Sequence, residues 1–364
     1  MYFMNKTHGG NIWKIAKENG LQPEDIIDFS ASINPLGLSP KAGKAIKDTV
    51  PLLRHYPEPG ADTLRAELAF YHNLPEENII VGNGSTEFIY LIPRVFKPKK
   101  ALIVEPAFSE YRNSLKSSGC GIEDFLTSED EDFAPDIERL CSAMGKGCNL
   151  VYLGNPANPT GVLLSRKDIL KIAAECLGYG AMLIVDEAFV DFVEEKSVKN
   201  DAILLDNLIV LRSMTKFFGM AGLRLGYMVA HKEIIKRFKD VVPPWSVNTL
   251  AIVAGIESLK DAEYIKKTRE WLQYERPFLA QGMNAIPLLK PYPSRANYML
   301  VKILMDDITA KDMQKRLLKS SIFIRDCNSF TGFCNNFFRV AVKRRDENIL
   351  LLDAINHIFI EAQS

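Results

Sequence analysis

The sequence has little that would tie it to a membrane, a metal or a nucleic acid. No apolar run approaches the ~20 residues that a spanning helix needs. The opening stretch, Met1-Tyr2-Phe3-Met4-Asn5-Lys6-Thr7, lacks the charged, apolar, small-residue order of a secretion signal. Lysine plus arginine number 45 and aspartate plus glutamate 45, so no net field gathers nucleic acid or an anionic lipid surface. Any anion must therefore be held by placed residues. The six cysteines (Cys120, Cys141, Cys148, Cys176, Cys327 and Cys334) form no C-x-x-C pair and sit apart from histidine clusters. They read as reduced, mostly buried thiols of a cytoplasmic protein, with only Cys141 and Cys148 sharing a loop-like stretch. Internal repeats and low-complexity tracts are also missing. What remains is an ordinary globular composition, 47% hydrophobic and 25% charged over 364 residues. That length allows one large core and a smaller second one.

Short apolar runs alternate with helical patterns at the spacing of βαβ units. The sequence predicts strands at Ala101–Glu105, Asn149–Leu153, Met182–Asp186, Leu208–Leu211 and Leu225–Val229. Most are continuously apolar, as expected of a parallel sheet covered on both faces. Helices are expected at 12–19, at about 62–71 and from Ser85, the last kinked or ended early by Pro93. A long helical stretch from about Thr249 to Ala280 is expected to link two domains. Beyond it, strands at Asn297–Lys302, Ile322–Arg325 and Phe337–Val342 alternate with helices around 309–319 and 346–361. The implied organisation is an arm over 1–35 packing with the small domain, a large domain over 36–255 and a small α+β domain over 256–364.

The apolar strands break into polar residues at their ends, where open α/β sheets place ligands. Leu208-Ile209-Val210-Leu211 runs into Arg212-Ser213-Met214-Thr215-Lys216-Phe217-Phe218-Gly219, and then into Ala221-Gly222-Leu223-Arg224-Leu225-Gly226-Tyr227. Apolar neighbours raise the cost of the ammonium form of Lys216, favouring a free amine that can bond to an aldehyde. Ser213, Thr215 and Arg224 suit a dianionic phosphate. The turn Gly82-Asn83-Gly84-Ser85-Thr86-Glu87 adds free N–H groups at a helix start, a weak phosphate signal by itself. The lysine string resembles the lysine segment of the fold-type-I pyridoxal-phosphate enzymes, the aminotransferases and their decarboxylase relatives.

Other strings suit the same cofactor. Asp186, in Asp186-Glu187-Ala188-Phe189, ends an apolar strand, and a carboxylate there is costly unless it meets a cation. A pyridinium nitrogen is such a partner, and holding it protonated makes the ring an electron sink. A helix cap or a metal ligand is the alternative, but Glu187 should point to the opposite face. In Asn155-Pro156-Ala157-Asn158-Pro159-Thr160-Gly161, two Asn-Pro steps fix Asn158, whose amide suits the cofactor's phenolate oxygen. Phe108, just after a strand, suits stacking on the ring. Arg325 ends the run Ser321-Ile322-Phe323-Ile324, and Arg339 sits within Phe337-Phe338-Arg339-Val340. A guanidinium in an apolar strand needs an anion, either a structural partner or a ligand. Two facing one cleft argue for a substrate with two anionic groups.

The motifs resemble this enzyme class over essentially the full chain. Within it they look like the L-threonine-O-3-phosphate decarboxylases of cobalamin biosynthesis and the histidinol-phosphate aminotransferases. His8-Gly9-Gly10-Asn11, Asp28-Phe29-Ser30-Ala31-Ser32-Ile33-Asn34-Pro35-Leu36-Gly37, Pro244-Trp245-Ser246-Val247-Asn248, Ser294-Arg295-Ala296-Asn297-Tyr298 and Phe338-Arg339-Val340-Ala341-Val342 favour the first. The resemblance implies an α/β fold with a mostly parallel central sheet and a smaller α+β domain. It implies Lys216 as covalent anchor of pyridoxal 5'-phosphate, Asp186 at the pyridinium, Asn158 at the phenolate oxygen and Phe108 on the ring face. The cofactor phosphate would fall to Ser85, Thr86, Ser213, Thr215 and Arg224, with Tyr56 arriving from a partner in a homodimer. His8, Gly9, Ser32, Asn158, Arg325 and Arg339 match positions that hold a phosphoamino acid.

Two departures stand out. Ser32 replaces an asparagine common in the decarboxylases, which makes phosphoserine a rival to phosphothreonine. Phe189 occupies a position where many aminotransferases carry a tyrosine. The implied reaction is decarboxylation of phosphothreonine to 1-amino-2-propanol phosphate, with transamination as the first alternative. A regulator's cofactor-binding module, the second, would need a basic helix-turn-helix ahead of the fold.

Overall fold

The computed structural model describes residues 8–145 and 147–363, so the opening stretch read for a signal lies outside it. Seven strands lie side by side in the order Ile79–Gly82, Gly226–Val229, Leu208–Ser213, Met182–Asp186, Leu150–Gly154, Lys100–Glu105 and Gly121–Leu126. Every pairing is parallel except those of Gly226–Val229, which runs antiparallel to both neighbours. Successive side chains feed opposite apolar layers: Val151, Leu183 and Val210 on one face, Tyr152, Ile184 and Ile209 on the other. Both faces are covered by helices, which explains the unbroken apolar runs. The register sets Gly154 beside Asp186 and Asp186 beside Leu211, so three polar strand exits open at one edge.

A second, antiparallel sheet follows the order Arg325–Asp326, Phe337–Ala341, Tyr298–Ile303 and Leu289–Pro291. The segment expected as one strand over Ile322–Arg325 is two. Ile322–Phe323 pairs in parallel with Ile27–Asp28, and after the buried Ile324 the chain crosses to pair Arg325 with Arg339.

Three further expectations are corrected. The helix Ser85–Phe96 runs through Pro93 without ending. Proline removes the N–H that would bond Ile89, and the Tyr152 hydroxyl donates to that carbonyl instead, at 3.3 Å. The stretch from Thr249 to Ala280 is two helices, Thr249–Leu259 and Ala262–Asn284. Asp261 breaks it, accepting the Tyr264 N–H at 3.3 Å as a cap and the Ser39 hydroxyl at 2.6 Å. Cys141 lies in the helix Ile137–Ala143 and not in a loop; all six cysteines are free, and only Cys334 is exposed.

Candidate active site

Lys216 lies in the single turn Met214–Phe217, directly after the strand Leu208–Ser213. Burial and the guanidinium charges of Arg339 and Arg224 push its amine down to about 8, with Asp186 pulling the other way. Its Nζ sits 5.7 Å from the centre of the Phe189 ring. Across the cleft, the Asp186 carboxylate accepts the Tyr111 hydroxyl at 2.7 Å and the Ala188 N–H at 3.0 Å. Burial pushes this carboxyl up, while those two donors and Lys216 favour its ionised form. Strand alternation turns Glu187 to the far side. There it accepts the Ser197 hydroxyl at 2.5 Å and faces the fully buried Arg212 at 3.4 Å. Asp186 alone of the pair therefore lines the cleft.

The phosphate signals converge beside Lys216. Ser85 and Thr86 open the helix Ser85–Phe96, and its turn is closed by Glu87, which accepts the Asn83 N–H at 2.7 Å. The Ser213 and Thr215 hydroxyls share a 2.7 Å hydrogen bond. Gly84 has φ 77, and a Cβ there would come within 2.8 Å of Arg224 Nη2. Glycine thus lets the guanidinium lie against the helix start. The N–H groups of the helix start, four hydroxyls and one guanidinium fit a dianionic phosphate. A free amine and a buried carboxylate on either side fit the aldehyde and the ring nitrogen of pyridoxal phosphate. Phe108 lies between, edge-on to Tyr111 with ring centres 5.8 Å apart.

The opposite wall carries the two arginines, which face each other across the antiparallel pair of strands. Arg339 donates to the Ser30 carbonyl at 2.8 Å and to Asn158 Oδ1, both neutral acceptors, and its buried Nε has no hydrogen-bond partner among the described residues. Since Asn158 spends its oxygen on Arg339, its amide nitrogen is the end that can turn to a ligand. Arg325 donates to the Ser329 hydroxyl at 2.7 Å and lies over the Phe330 ring at 5.3 Å. Burial and mutual repulsion work against the charge of Arg325, and burial against that of Arg339. An anion entering the cleft would relieve both. His8 and Gly9 line the same cleft, as does Ser32, whose buried hydroxyl has no hydrogen-bond partner among the described residues.

One expected residue stands apart. Tyr56 is 84% exposed, packs on Trp245 with ring centres 5.2 Å apart, and lies outside the cleft. Among the cleft residues that were missed are Tyr111, Ser329 and Ser30. Tyr111 carried a signal, because three residues after Phe108 is one helical turn and the same face. Ser30 acts partly through its carbonyl, which no residue type announces.

The family described as "Aminotransferase class I and II" matches residues 24–355 of the chain. The threonine-phosphate decarboxylase of Salmonella typhimurium is 37% identical over 361 residues, covering 98% of each chain. A histidinol-phosphate aminotransferase of Methanocaldococcus jannaschii is 34% identical, covering 92% of this chain and 89% of that one. Among solved structures, the L-threonine-O-3-phosphate decarboxylase from Porphyromonas gingivalis matches with a TM-score of 0.81 at 29% identity, over 92% of this chain and 99% of that one. On the length of these matches, the chain belongs to the class I and II aminotransferase family.

Proposed function

We propose that the protein is a pyridoxal-phosphate-dependent carboxy-lyase that converts L-threonine O-3-phosphate into (R)-1-amino-2-propanol O-2-phosphate for cobalamin assembly. The observation that carries this reading is the pair Arg325 and Arg339, set opposite one another in a cleft that also holds Lys216. Two guanidinium groups beside one amine suit an amino acid bearing a second anion. The Salmonella relative's name supports the same substrate.

In this reading Lys216 anchors the cofactor's aldehyde, Asp186 its ring nitrogen, Asn158 its ring oxygen and Phe108 its ring face. Ser85, Thr86, Ser213, Thr215 and Arg224 hold its phosphate. When bound, pyridoxal phosphate supplies an electron-poor ring that takes up the electron pair left on Cα as CO2 departs. His8, Gly9, Ser32, Asn158, Arg325 and Arg339 hold the substrate's phosphate and carboxylate, and so fix which bond to Cα is presented for cleavage. Contacts to the remote phosphate supply binding energy that holds this pose. Lys216 Nζ would carry the proton that returns to Cα. Phe189 places no hydroxyl beside Lys216, which favours loss of CO2 over amino transfer.

The active unit we propose is a homodimer with shared sites. Support comes from an exposed strip of Val50, Leu52, Leu53, Tyr56 and Trp245, which includes the one expected site residue outside the cleft. We divide the chain into an arm over 1–35, a large domain over 36–255 and a small one over 256–364. A cytoplasmic setting fits six free cysteines.

The test compares kcat/KM for phosphothreonine, phosphoserine and unphosphorylated threonine, measured as CO2 release, against amino transfer from histidinol phosphate to 2-oxoglutarate. The expected order is phosphothreonine first, with threonine at least a hundredfold worse. Amino transfer as the faster reaction would assign the chain to the second group of relatives.

A further inference from the structure

Glu110 belongs to no part of the cofactor cradle, yet it is the most heavily bonded carboxylate near the cleft. It sits in the first turn of the helix Ser109–Ser117, two residues beyond Phe108. Its Oε2 accepts the Tyr90 hydroxyl at 2.5 Å. Its Oε1 accepts the Asn113 amide at 2.7 Å and faces His8 Nε2 at 3.0 Å. The His8 contact is the largest influence on this carboxyl, which is held down to about 2, so Glu110 stays ionised across the working pH range. Tyr90 lies on the helix Ser85–Phe96 and Asn113 on the helix Ser109–Ser117, so both hold the carboxylate independently of the arm.

The arm itself is held at a second point. Gly10 N–H donates to the Ser30 hydroxyl at 2.7 Å. A Cβ on Gly9 would strike the Ser30 carbonyl, so glycine is what lets the arm lie flat there. That same carbonyl accepts from Arg339, and Asp28 fixes the Ser30 hydroxyl at 2.6 Å. The segment His8-Gly9-Gly10 is therefore held at two points, by Ser30 in the cleft lining and by Glu110 just outside it.

We propose that Glu110 is the positioning residue that sets His8 over the substrate's distal anion. This rests on the reading of His8 as a substrate contact. Nε2 is engaged by Glu110, so Nδ1 is the ring nitrogen left for a ligand, and His8 and Arg325 line the same cleft. Glu110 does not touch the substrate. Its effect is to spend beforehand the ordering cost of a terminal segment, which otherwise would be drawn from the binding energy of each substrate molecule.

The test is a double-mutant cycle on the cofactor-loaded enzyme, with Glu110→Gln, His8→Ala and the pair. The glutamine keeps the size of the side chain and removes its charge. Expected is a rise in KM for phosphothreonine of about tenfold in Glu110→Gln, with kcat within about twofold and the visible absorbance of the bound cofactor unchanged. In the His8→Ala background, the same change should add less than about twofold. A Glu110→Asp variant should recover part of the loss. If His8→Ala raises KM while Glu110→Gln does not, the positioning role is wrong and the substrate reading stands. If His8→Ala leaves KM untouched, His8 holds no substrate and the parent reading of the arm fails. Equal effects of Glu110→Gln with and without His8, or a loss of cofactor colour, would mean that Glu110 acts only on the fold.

Discussion

Lys216 reacts only as a free amine. Its ammonium form is disfavoured first by burial, then by Arg339 and Arg224, which brings it from the usual lysine range to about 8. The cationic fraction is therefore lost as pH rises through about 8, and about one amine in ten is free at pH 7 against about nine in ten at pH 9. Cofactor-free protein should take up pyridoxal phosphate several-fold faster at pH 9 than at pH 7, followed by visible absorbance. A flat rate over that window would contradict the assignment of Lys216 as the reactive amine. Burial pushes the Asp186 carboxyl up, and the hydrogen bonds from the Tyr111 hydroxyl and the Ala188 N–H oppose it. Asp186→Asn should cost about 10²–10³ in kcat, with the cofactor still bound through its phosphate. A kcat within about threefold of the parent would remove Asp186 from the electron-accepting machinery. Asp186 and the two arginines were legible in the sequence as polar residues at the end of an apolar run or within one, and Lys216 and Asn158 through the strings around them. Glu110 and Ser30 were not, since a charged residue in a helix and a backbone carbonyl look the same in any surface segment.

The strand–turn–helix unit around Gly84 does its work through backbone shape. Gly84 has φ 77 and lies against Arg224, so alanine there meets both strain and the guanidinium. Gly84→Ala should weaken cofactor binding by about tenfold, corresponding to about 1.4 kcal/mol, with unfolding temperature in the cofactor-free state lowered only slightly. Unchanged affinity would mean that the helix start is only a cap. Elements of this kind were readable where one periodicity dominated: Met182–Asp186 matches its apolar run residue for residue. They failed where a long-range partner decided the outcome. Pro93 is tolerated inside its helix because Tyr152, from a distant strand, satisfies the carbonyl that proline leaves. Asp261 ends a helix because Ser39 and the Tyr264 N–H meet its carboxylate. Neither the Tyr152 nor the Ser39 contact is visible in a local window, whereas the cap on the Tyr264 N–H spans only three residues.

At the scale of the whole molecule, the cleft draws on both sheets and on the arm: Lys216 and Asp186 follow strands of the parallel sheet, Arg325 and Arg339 lie on the antiparallel one, and His8 precedes both. Tyr56 is exposed and lies outside the cleft. If sites are shared between subunits, the inactive variants Lys216→Ala and Tyr56→Ala should restore activity to each other when refolded together. The mixed dimer then carries one site with both defects and one with none. Mixtures no more active than the separate variants would remove Tyr56 from the site. The central claim is that a doubly anionic amino acid loses its carboxylate here. It is tested most directly with L-threonine O-3-phosphate labelled at the carboxyl carbon. The label should leave as CO2, one per molecule of aminopropanol phosphate formed, and none should leave with the Lys216→Ala variant. Label retained in a keto acid, with the amino group passed to another acceptor, would contradict it.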